Sequence, residues 1–192
     1  MRLGLFGGTF DPPHIGHLIV AQDARIELSL DRVIFVPAAT PPHKRHRVVA
    51  PADLRLAMVR AAIEADDRLI VDDIEIRRGG ASYTVDTLRA YRTDRPDAEL
   101  FLIIGADQYA EFDTWREAGE IRRLARLAVL ARDGGTRGSL ANGAIAVSVT
   151  RIDVSATEIR RRVRNREPIR YLVPLPVEAI IRGHRLYETA AG

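Results

Sequence analysis

The sequence predicts an α/β fold in which helices cover both faces of a doubly wound parallel sheet and a helical segment follows toward the C-terminal end. Short aliphatic and β-branched runs alternate with stretches of helical periodicity, and two glycines follow the first run. Of the 192 residues, 46% are hydrophobic, which is enough for one sizeable core. We therefore expect a single Rossmann-like domain over residues 1–192.

The predicted elements follow this alternation along the chain. Strands are predicted at residues 3–6, 32–36, 69–76, 99–104, 127–131 and 145–149. Helices are predicted at 15–30, 52–65 and 84–92; Pro51 precedes the second, where a first helical turn tolerates proline. Residues 133–143 are rich in glycine and lack periodicity, which predicts a surface loop within the domain.

The chain changes character near residue 155. Ser155 and Glu158 fit a capping box that opens a helix through Val163. The arginines along this helix indicate a solvated face, although Arg160 differs because it lies close to the cap. Short helices are expected to follow, because the segment is interrupted by Pro168, Pro174 and Pro176.

Composition limits the classes of function. The absence of cysteine excludes disulfides, thiolate metal sites and cysteine nucleophiles, and it suits a cytoplasmic protein. The apolar stretch at residues 1–6 is too short for a signal peptide or membrane helix, so no membrane partner is expected. A formal charge of +3 favours anionic partners in general. An RNA-binding domain is the alternative of another class, but the arginines are dispersed and no aromatic-rich motif accompanies them, so no nucleic-acid partner is expected.

The most informative segment is residues 7–17, Gly-Gly-Thr-Phe-Asp-Pro-Pro-His-Ile-Gly-His, between the first predicted strand and the first helix. Its two glycines let backbone amides approach a phosphate, and the helix start offers unpaired N–H groups and a positive dipole end. The glycine spacing is not the dinucleotide fingerprint, and there is no Walker lysine. The segment predicts a phosphate site of another architecture, beyond the carboxyl end of a strand.

His14 and His17 are three residues apart at the start of this helix, so both imidazoles can project from one face. An isolated pair of this kind often only caps or packs a helix. Here it follows a strand, a glycine pair and the hydroxyl of Thr9, and Gly16 permits close approach. This context favours a ligand-binding role.

Residues 14–17, His-Ile-Gly-His, match the (His or Thr)-x-Gly-His motif of a group of nucleotidyltransferases. Class I aminoacyl-tRNA synthetases share the motif, but they are longer and have a Lys-Met-Ser-Lys-Ser-type loop that this sequence lacks. Residues 154–160 instead look like the second signature of the small nucleotidyltransferases, with Ala156 where many members have a second serine. Almost the whole chain resembles the bacterial nicotinate-nucleotide adenylyltransferase family, with further matches at 41–44, 82–88, 105–107, 115, 172–174 and 186–187.

The resemblance implies adenylyl transfer from ATP to nicotinate mononucleotide. It implies that the catalytic residues are His14, His17 and Arg160, and that Lys44 contacts phosphate. The ATP-binding residues that it implies are Gly7, Gly8, Thr9, Phe10, Gly105, Asp107, Ser155 and Thr157, and the nicotinate-binding residues are Thr84, Trp115 and Tyr109. From residue type alone, Lys44 also fits a solvated charge cluster, Asp107 a helix N-cap and Trp115 a core position.

The acceptor phosphate is already a nucleophile at pH 7, so we expect direct transfer without a covalent intermediate. Magnesium is expected to arrive on the ATP phosphates, because no carboxylate cluster suits an all-protein magnesium site. Phosphopantetheine adenylyltransferase is the alternative within the class; it is usually shorter and lacks the Ser-Tyr-Thr and tryptophan context of residues 82–84 and 115. The sequence is compatible with a homo-oligomer and does not determine the oligomeric state.

Overall fold

The computed structural model describes residues 1–40, 49–131 and 138–188. The described strands are β1 (Arg2–Gly8), β2 (Arg32–Pro37), β3 (Leu69–Val71), β4 (Glu99–Gly105), β5 (Arg126–Ala131), β6 (Gly138–Ser139) and β7 (Ile145–Ser148). They form one sheet in the order β3-β2-β1-β4-β5-β7-β6. All neighbours are parallel except the short edge strand β6, which is antiparallel to β7. The predicted parallel sheet is confirmed.

The described α-helices are α1 (Ile15–Glu27), α2 (Ala52–Ile63), α3 (Ile74–Arg78), α4 (Thr84–Asp94), α5 (Ala106–Ala110), α6 (Ala118–Leu124), α7 (Ala156–Arg164) and α8 (Leu175–Gly183). The helices predicted from periodicity correspond to α1, α2 and α4. The surface loop predicted at 133–143 lies partly outside the described residues, and its described part contains β6 and the 3₁₀ turn Ala141–Gly143.

The strand predicted at residues 69–76 is wrong in its second half, where the structure has α3. The Asp72 carboxylate accepts a hydrogen bond from the backbone N–H of Ile74 at 2.9 Å, a local turn that ends the strand. The same carboxylate accepts from the Tyr91 hydroxyl of α4. The Asp72 side chain thus takes the backbone N–H of Ile74, which could otherwise have formed a hydrogen bond in the sheet.

Side chains alternate across the sheet and build a core on each face. Leu100 and Leu102 of β4 join residues of α4 and α6 on one face, whereas Phe101 and Ile103 join residues of α1 and α2 on the other. Each fully buried side chain of this size contributes about 1.5–3 kcal/mol. The prediction of helices on both faces is confirmed.

A third cluster lies outside these two layers, where Ile159 of α7 and Val177 of α8 pack with Met58 of α2. The helix start predicted at Ser155 is confirmed, because its hydroxyl accepts the Glu158 N–H at 3.2 Å. The reciprocal half of the capping box is not seen. The Glu158 carboxylate instead accepts hydrogen bonds from the guanidinium groups of two arginines of the same helix, Arg161 and Arg162.

The sheet order fixes where a ligand can bind. From β1 the sheet runs outward through β2 to β3, and from β4 it runs in the other direction through β5 to β7. In open α/β sheets, ligands bind beyond the carboxyl ends of the strands at this change of direction. The ends of β1 and β4, at Gly8 and Gly105, therefore border the expected site. Among the residues placed by the structure, no helix is long and apolar enough to cross a membrane.

Candidate active site

The loop after β1 brings backbone, rather than large side chains, to the end of the sheet. Gly7 faces open space, and a Cβ on Gly8 would lie 2.8 Å from the Phe10 ring. Phe10 is buried with a left-handed φ of 50°, which costs a non-glycine residue on the order of 1 kcal/mol. Its ring packs 5.4 Å from that of Phe35. Phe10 therefore supports the loop from inside the core, and only its backbone is placed to meet a ligand.

The two histidines of the motif lie side by side where α1 begins. His14 is the N-cap, and its ring stacks on that of His17 with centroids 3.7 Å apart and planes 26° apart. Nδ1 of His17 accepts the backbone N–H of His14 at 3.1 Å. In the neutral ring this places the proton of His17 on Nε2, which is then a donor.

His14 is held as a neutral base by its surroundings. Its side chain is buried, and burial lowers its pKa to about 4. Its Nδ1 atom has no hydrogen-bond partner among the described residues, a rare state for a buried polar atom and one that is common at functional sites. A Cβ on Gly16 would lie 3.1 Å from this Nδ1 and 2.9 Å from Val154, so glycine at position 16 makes room for both.

Arg160 is brought to this motif from the other end of the chain. Its Nη1 donates to the main-chain carbonyl of Asp11 at 2.6 Å, and its Nη2 lies 3.4 Å from the Thr157 hydroxyl. Its side chain is 14% exposed. The structure thus places all three predicted catalytic residues at one locus, on the loop after β1, α1 and α7.

The Asp11 carboxylate is fully used by the protein itself. It accepts the N–H groups of Val49 at 2.8 Å and Ala50 at 3.1 Å, and the hydroxyl of Tyr187 at 2.7 Å. It is 3% exposed. Asp11 therefore organises the loop rather than offering a ligand to a metal ion.

Arg55 of α2 is a buried cation beneath the same loop. Its guanidinium donates to the carbonyls of Thr9 at 2.8 Å, Ala39 at 3.2 Å and Ala50 at 3.2 Å. These carbonyls belong to the loop after β1, the segment after β2 and the residue before Pro51. Arg55 thus holds three chain segments together, and burial lowers its pKa from the ordinary value of arginine.

A cavity of about 500 Å³ lies beyond the end of β1, and we name it the β1–α4 cavity. Its walls include residues 7–9, the turn at residues 82–84 and Trp115. The turn leads into α4, whose N–H groups at Thr84 and Val85 precede the helix's own acceptors and lie at the positive end of the helix dipole. This wall is suited to a carboxylate.

Glu75 anchors this turn from below. Its carboxylate is 7% exposed, accepts the Thr87 hydroxyl at 2.7 Å and lies near the side chain of Ser82. Ser82 Oγ in turn accepts the N–H of Ala39 at 2.9 Å. Burial raises the pKa of Glu75 above its ordinary value. The first turn of α4 is therefore held by a buried carboxyl group through Thr87, and the turn before it by the bond between Ser82 and Ala39.

The aromatic residues predicted to bind nicotinate have different places. Trp115 is half-buried, lines the β1–α4 cavity and packs 5.3 Å from Phe112. Among the described residues, Tyr109 does not line the β1–α4 cavity, and its hydroxyl donates to the Ala141 carbonyl at 2.7 Å. The geometry therefore gives Tyr109 no support as a nicotinate-binding residue. The ring of Tyr83, under the Arg116 guanidinium at 4.6 Å, lines the cavity instead.

A second cavity, of about 640 Å³, lies between α1, β4 and the start of α7, and we name it the α1–α7 cavity. The predicted ATP-binding residues Gly105 and Ser155 line it, while Thr157 lies exposed in the first turn of α7. Gly105 is the N-cap of α5 and Asp107 lies exposed in its first turn, so the alternative that Asp107 is the N-cap is wrong.

The histidine pair is linked by contacts to the walls of both cavities. Phe10 contacts the Gly8 position on one side and lies 5.0 Å from the His17 ring on the other, which connects the pair to the β1–α4 cavity. Gly16 contacts Val154, which lines the α1–α7 cavity. Groups bound in the two cavities would therefore meet near His14 and His17.

One predicted site residue lies outside the described part of the chain, and four site residues were not predicted from the sequence. Lys44 lies in segment 41–48, outside the described residues. Residues of the site that sequence reasoning missed include Asp11, Arg55, Glu75 and Tyr187. Arg55 had a detectable signal, because it stands three and four residues before Met58 and Val59 on the buried stripe of α2. Within the described ranges, no group of three or more His, Asp or Glu residues could hold a metal ion.

The chain is similar to known nucleotidyltransferases over most of its length. A model of the cytidylyltransferase-like family matches residues 5–162, which include His14, His17 and Arg160. A relative from Thermus thermophilus, described as a probable nicotinate-nucleotide adenylyltransferase, is 46% identical over 187 residues, covering 97% of this chain and 100% of the relative. The chain belongs to the nicotinate-nucleotide adenylyltransferase family. A member from Thermomicrobium roseum with the same description is 43% identical over 197 residues, covering 98% of this chain and 92% of that one.

A solved structure extends the comparison to the fold. The Plasmodium falciparum nicotinic acid mononucleotide adenylyltransferase complexed with NaAD superposes with a TM-score of 0.77 at 16% identity, covering 97% of each chain. At that identity the likeness shows a shared fold. The arrangement of sheet and helices thus belongs to a fold that this family member shares with a distant protein.

Proposed function

We propose that this protein transfers AMP from ATP to nicotinate mononucleotide, giving nicotinate adenine dinucleotide and pyrophosphate. The observation that supports it most is the stacked pair His14 and His17, whose contacts lead to the walls of both the β1–α4 cavity and the α1–α7 cavity. A transfer between two bound substrates needs two adjoining sites with charge-stabilising groups where they meet. Family membership names the two substrates.

Nicotinate mononucleotide fits the β1–α4 cavity. Trp115 offers a face on which the pyridine ring can stack, and the first N–H groups of α4, at Thr84, suit its carboxylate. The open backbone of Gly7 and Gly8 forms the inner wall of this cavity, and we retain the loop of residues 7–10 as a contact of the ATP phosphates.

ATP fits the α1–α7 cavity, with the adenosine at Gly105 and the triphosphate directed to the start of α7. There Ser155 begins a helix with unpaired N–H groups, and Arg160 lies on the same helix one turn later. Asp107 and Thr157 are the flanking groups proposed to contact ribose and phosphate. Lys44 is retained in the proposal as a further phosphate contact.

The main catalytic task is to bring two anions together. Each pair of unit charges 4 Å apart repels by roughly 4 kcal/mol at an effective dielectric near 20. His17 supplies a donor at Nε2, His14 a neutral imidazole and Arg160 a permanent positive charge. The acceptor phosphate attacks the α-phosphorus directly, one P–O bond forms, and the bond to pyrophosphate breaks.

Magnesium belongs to the proposal as the partner of the ATP phosphates. The donor set of the site fits this form, because the Asp11 carboxylate is occupied by protein donors. Bound to the phosphates, the ion supplies charge neutralisation of the leaving pyrophosphate. A cytoplasmic location is part of the same proposal.

The test is incubation of the purified protein with ATP, Mg²⁺ and one acceptor at a time. The acceptors are nicotinate mononucleotide, nicotinamide mononucleotide and phosphopantetheine, and both pyrophosphate and the adenylylated product are measured. We expect the dinucleotide from nicotinate mononucleotide as the best product. Pyrophosphate release that depends on phosphopantetheine alone would contradict the proposal.

A further inference from the structure

The hydroxyl of Tyr187 lies at the centre of the buried polar cluster beneath the phosphate-binding loop. It donates to Oδ1 of Asp11 at 2.7 Å, across 176 positions of sequence, and Tyr187 is 5% exposed. Burial and the neighbouring Asp11 carboxylate raise the pKa of Tyr187 above its ordinary value, so the hydroxyl keeps its proton and acts as a donor. Nothing in the reaction itself requires this group.

We propose that Tyr187 is a positioning residue for ATP, which acts through Asp11 on Arg160 and the loop after β1. This inference rests on the proposed function. Tyr187 touches neither of the two cavities in the described lining, so its effect on the reaction is indirect.

The orientation of the Asp11 carboxylate depends on its hydrogen-bond donors. Its Oδ1 has two donors, the Tyr187 hydroxyl and the Ala50 N–H at 3.1 Å, and its Oδ2 has the Val49 N–H at 2.8 Å. A buried carboxylate that loses one strong donor reorients toward those that remain. The reoriented Asp11 side chain pulls on its own backbone, so the loop after β1 shifts with it.

Asp11 in turn holds the guanidinium group of Arg160. Nη1 of Arg160 is 2.6 Å from the Asp11 carbonyl and 4.0 Å from its carboxylate, so one residue fixes the guanidinium both through the backbone and by charge. Arg160 is bound on its inner side, and its remaining N–H groups are left for an anion. Displacement of the Asp11 loop therefore shifts the donor proposed to hold the triphosphate.

Loss of the Tyr187 hydroxyl should weaken the binding of ATP because Tyr187 packs on the side of the molecule where the α1–α7 cavity lies. Tyr187 belongs to the cluster formed by α2, α7 and α8, and α7 begins at the α1–α7 cavity. Trp115 and Tyr83 pack instead against the cluster on the opposite face of the sheet. The aromatic wall of the acceptor cavity thus lies on the face of the sheet away from Tyr187.

The test is the Tyr187→Phe variant, which keeps the ring and removes only the hydroxyl. We expect the KM for ATP, and the Kd for a non-hydrolysable ATP analogue measured without acceptor, to rise by about tenfold, the scale of one hydrogen bond to a charged group. The KM for nicotinate mononucleotide should stay within about twofold.

Tyr91→Phe is the matched control. Tyr91 is also buried, and its hydroxyl also donates to an aspartate, Asp72, but it packs in the cluster on the opposite face. Both variants should lose similar stability in thermal unfolding, and only Tyr187→Phe should weaken ATP binding. Equal effects of the two variants on ATP, or a Tyr187→Phe protein that does not fold when Tyr91→Phe does, would assign the hydroxyl to the fold and overturn the proposal.

A double-mutant cycle with Arg160→Ala tests the route. If Tyr187 acts through Arg160, adding Tyr187→Phe to Arg160→Ala should change the ATP analogue's Kd by less than about twofold. Effects that multiply would overturn that route. Analogue binding is measured without acceptor, so this result stands apart from the identity of the acceptor, which the product assay alone decides.

Discussion

Nδ1 of His17 accepts the backbone N–H of His14 at 3.1 Å, while the two imidazole rings stack 3.7 Å apart. One nitrogen of His17 therefore closes the start of α1, and in the neutral ring the other carries the proton. A substitution at this position affects helix capping and ligand binding together, and the two can be separated by the choice of side chain.

His17→Ala should reduce kcat by about two to three orders of magnitude, as expected for loss of one preorganised donor, and His14→Ala should behave similarly. His17→Asn offers an oxygen where Nδ1 lies and nothing where Nε2 lies. We expect it to be as inactive as His17→Ala but closer to the wild type in thermal unfolding. Wild-type turnover in His17→Asn would limit His17 to capping.

The pKa of His14 predicts an acid-dependent loss of stability. Its folded value of about 4 lies below the ordinary value of 6.5, so between these values the unfolded chain binds a proton that the native state does not. The contribution of neutral His14 is complete above pH 6.5 and is lost as pH falls toward 4, with a magnitude on the order of 3 kcal/mol. Denaturant unfolding from about pH 7.5 to about 4.5 would measure it. His14→Gln should show a flatter profile, and identical profiles would contradict the assignment.

The acceptor cavity predicts preference for nicotinate over nicotinamide mononucleotide. A carboxylate can accept from the N–H groups of Thr84 and Val85 with either oxygen, whereas a carboxamide would turn its NH₂ toward one of them. We expect kcat/KM for the acid to exceed that for the amide by at least about two orders of magnitude. Steady-state kinetics with both acceptors is the measurement, and equal values would rule out this recognition.

Trp115→Ala should raise the KM for nicotinate mononucleotide by about tenfold or more, the usual effect of losing one aromatic stacking partner, and should leave the KM for ATP nearly unchanged. Trp115→Phe keeps an aromatic face and should retain most of the affinity. If the acceptor KM does not change in Trp115→Ala, Trp115 serves only its packing against Phe112.

Direct transfer predicts inversion of configuration at the α-phosphorus. The site offers donors and a cation but needs no covalent AMP intermediate, because the acceptor phosphate is already nucleophilic. Chiral α-thio-ATP as substrate, followed by stereochemical analysis of the dinucleotide, gives the answer. Retention would require two successive displacements.

Local signals in the sequence were sufficient for most of the fold and for the motif. The segment from Gly7 to His17 could be placed because the strand, the glycine pair and the helix start are contiguous in sequence. The end of β3 could not, because Asp72 terminates the strand through a hydrogen bond to Ile74 and is held by Tyr91 of another helix. Strand periodicity does not contain that competition.

The supports of the site were harder to predict than its ligand-facing groups. Asp11, Glu75 and Tyr187 act through partners that are distant in sequence, and residue type alone does not distinguish them from surface groups. Tyr109 shows the reverse case, because an aromatic residue close in sequence to the predicted site turns its hydroxyl to Ala141 instead. Only Arg55 carried a local signal, as a charge on an apolar stripe.

The bond from Tyr187 to Asp11 also has a consequence for how the protein is made. A ribosome releases the chain from its N-terminal side, so the loop after β1 emerges while its partner 176 positions later is still unsynthesised. The N–H of Ile15 likewise has its acceptor, the carbonyl of Leu172, in a part of the chain that is synthesised much later. A nascent chain therefore exposes the histidine motif before Leu172 and Tyr187, which hold the motif in its final shape, have been synthesised.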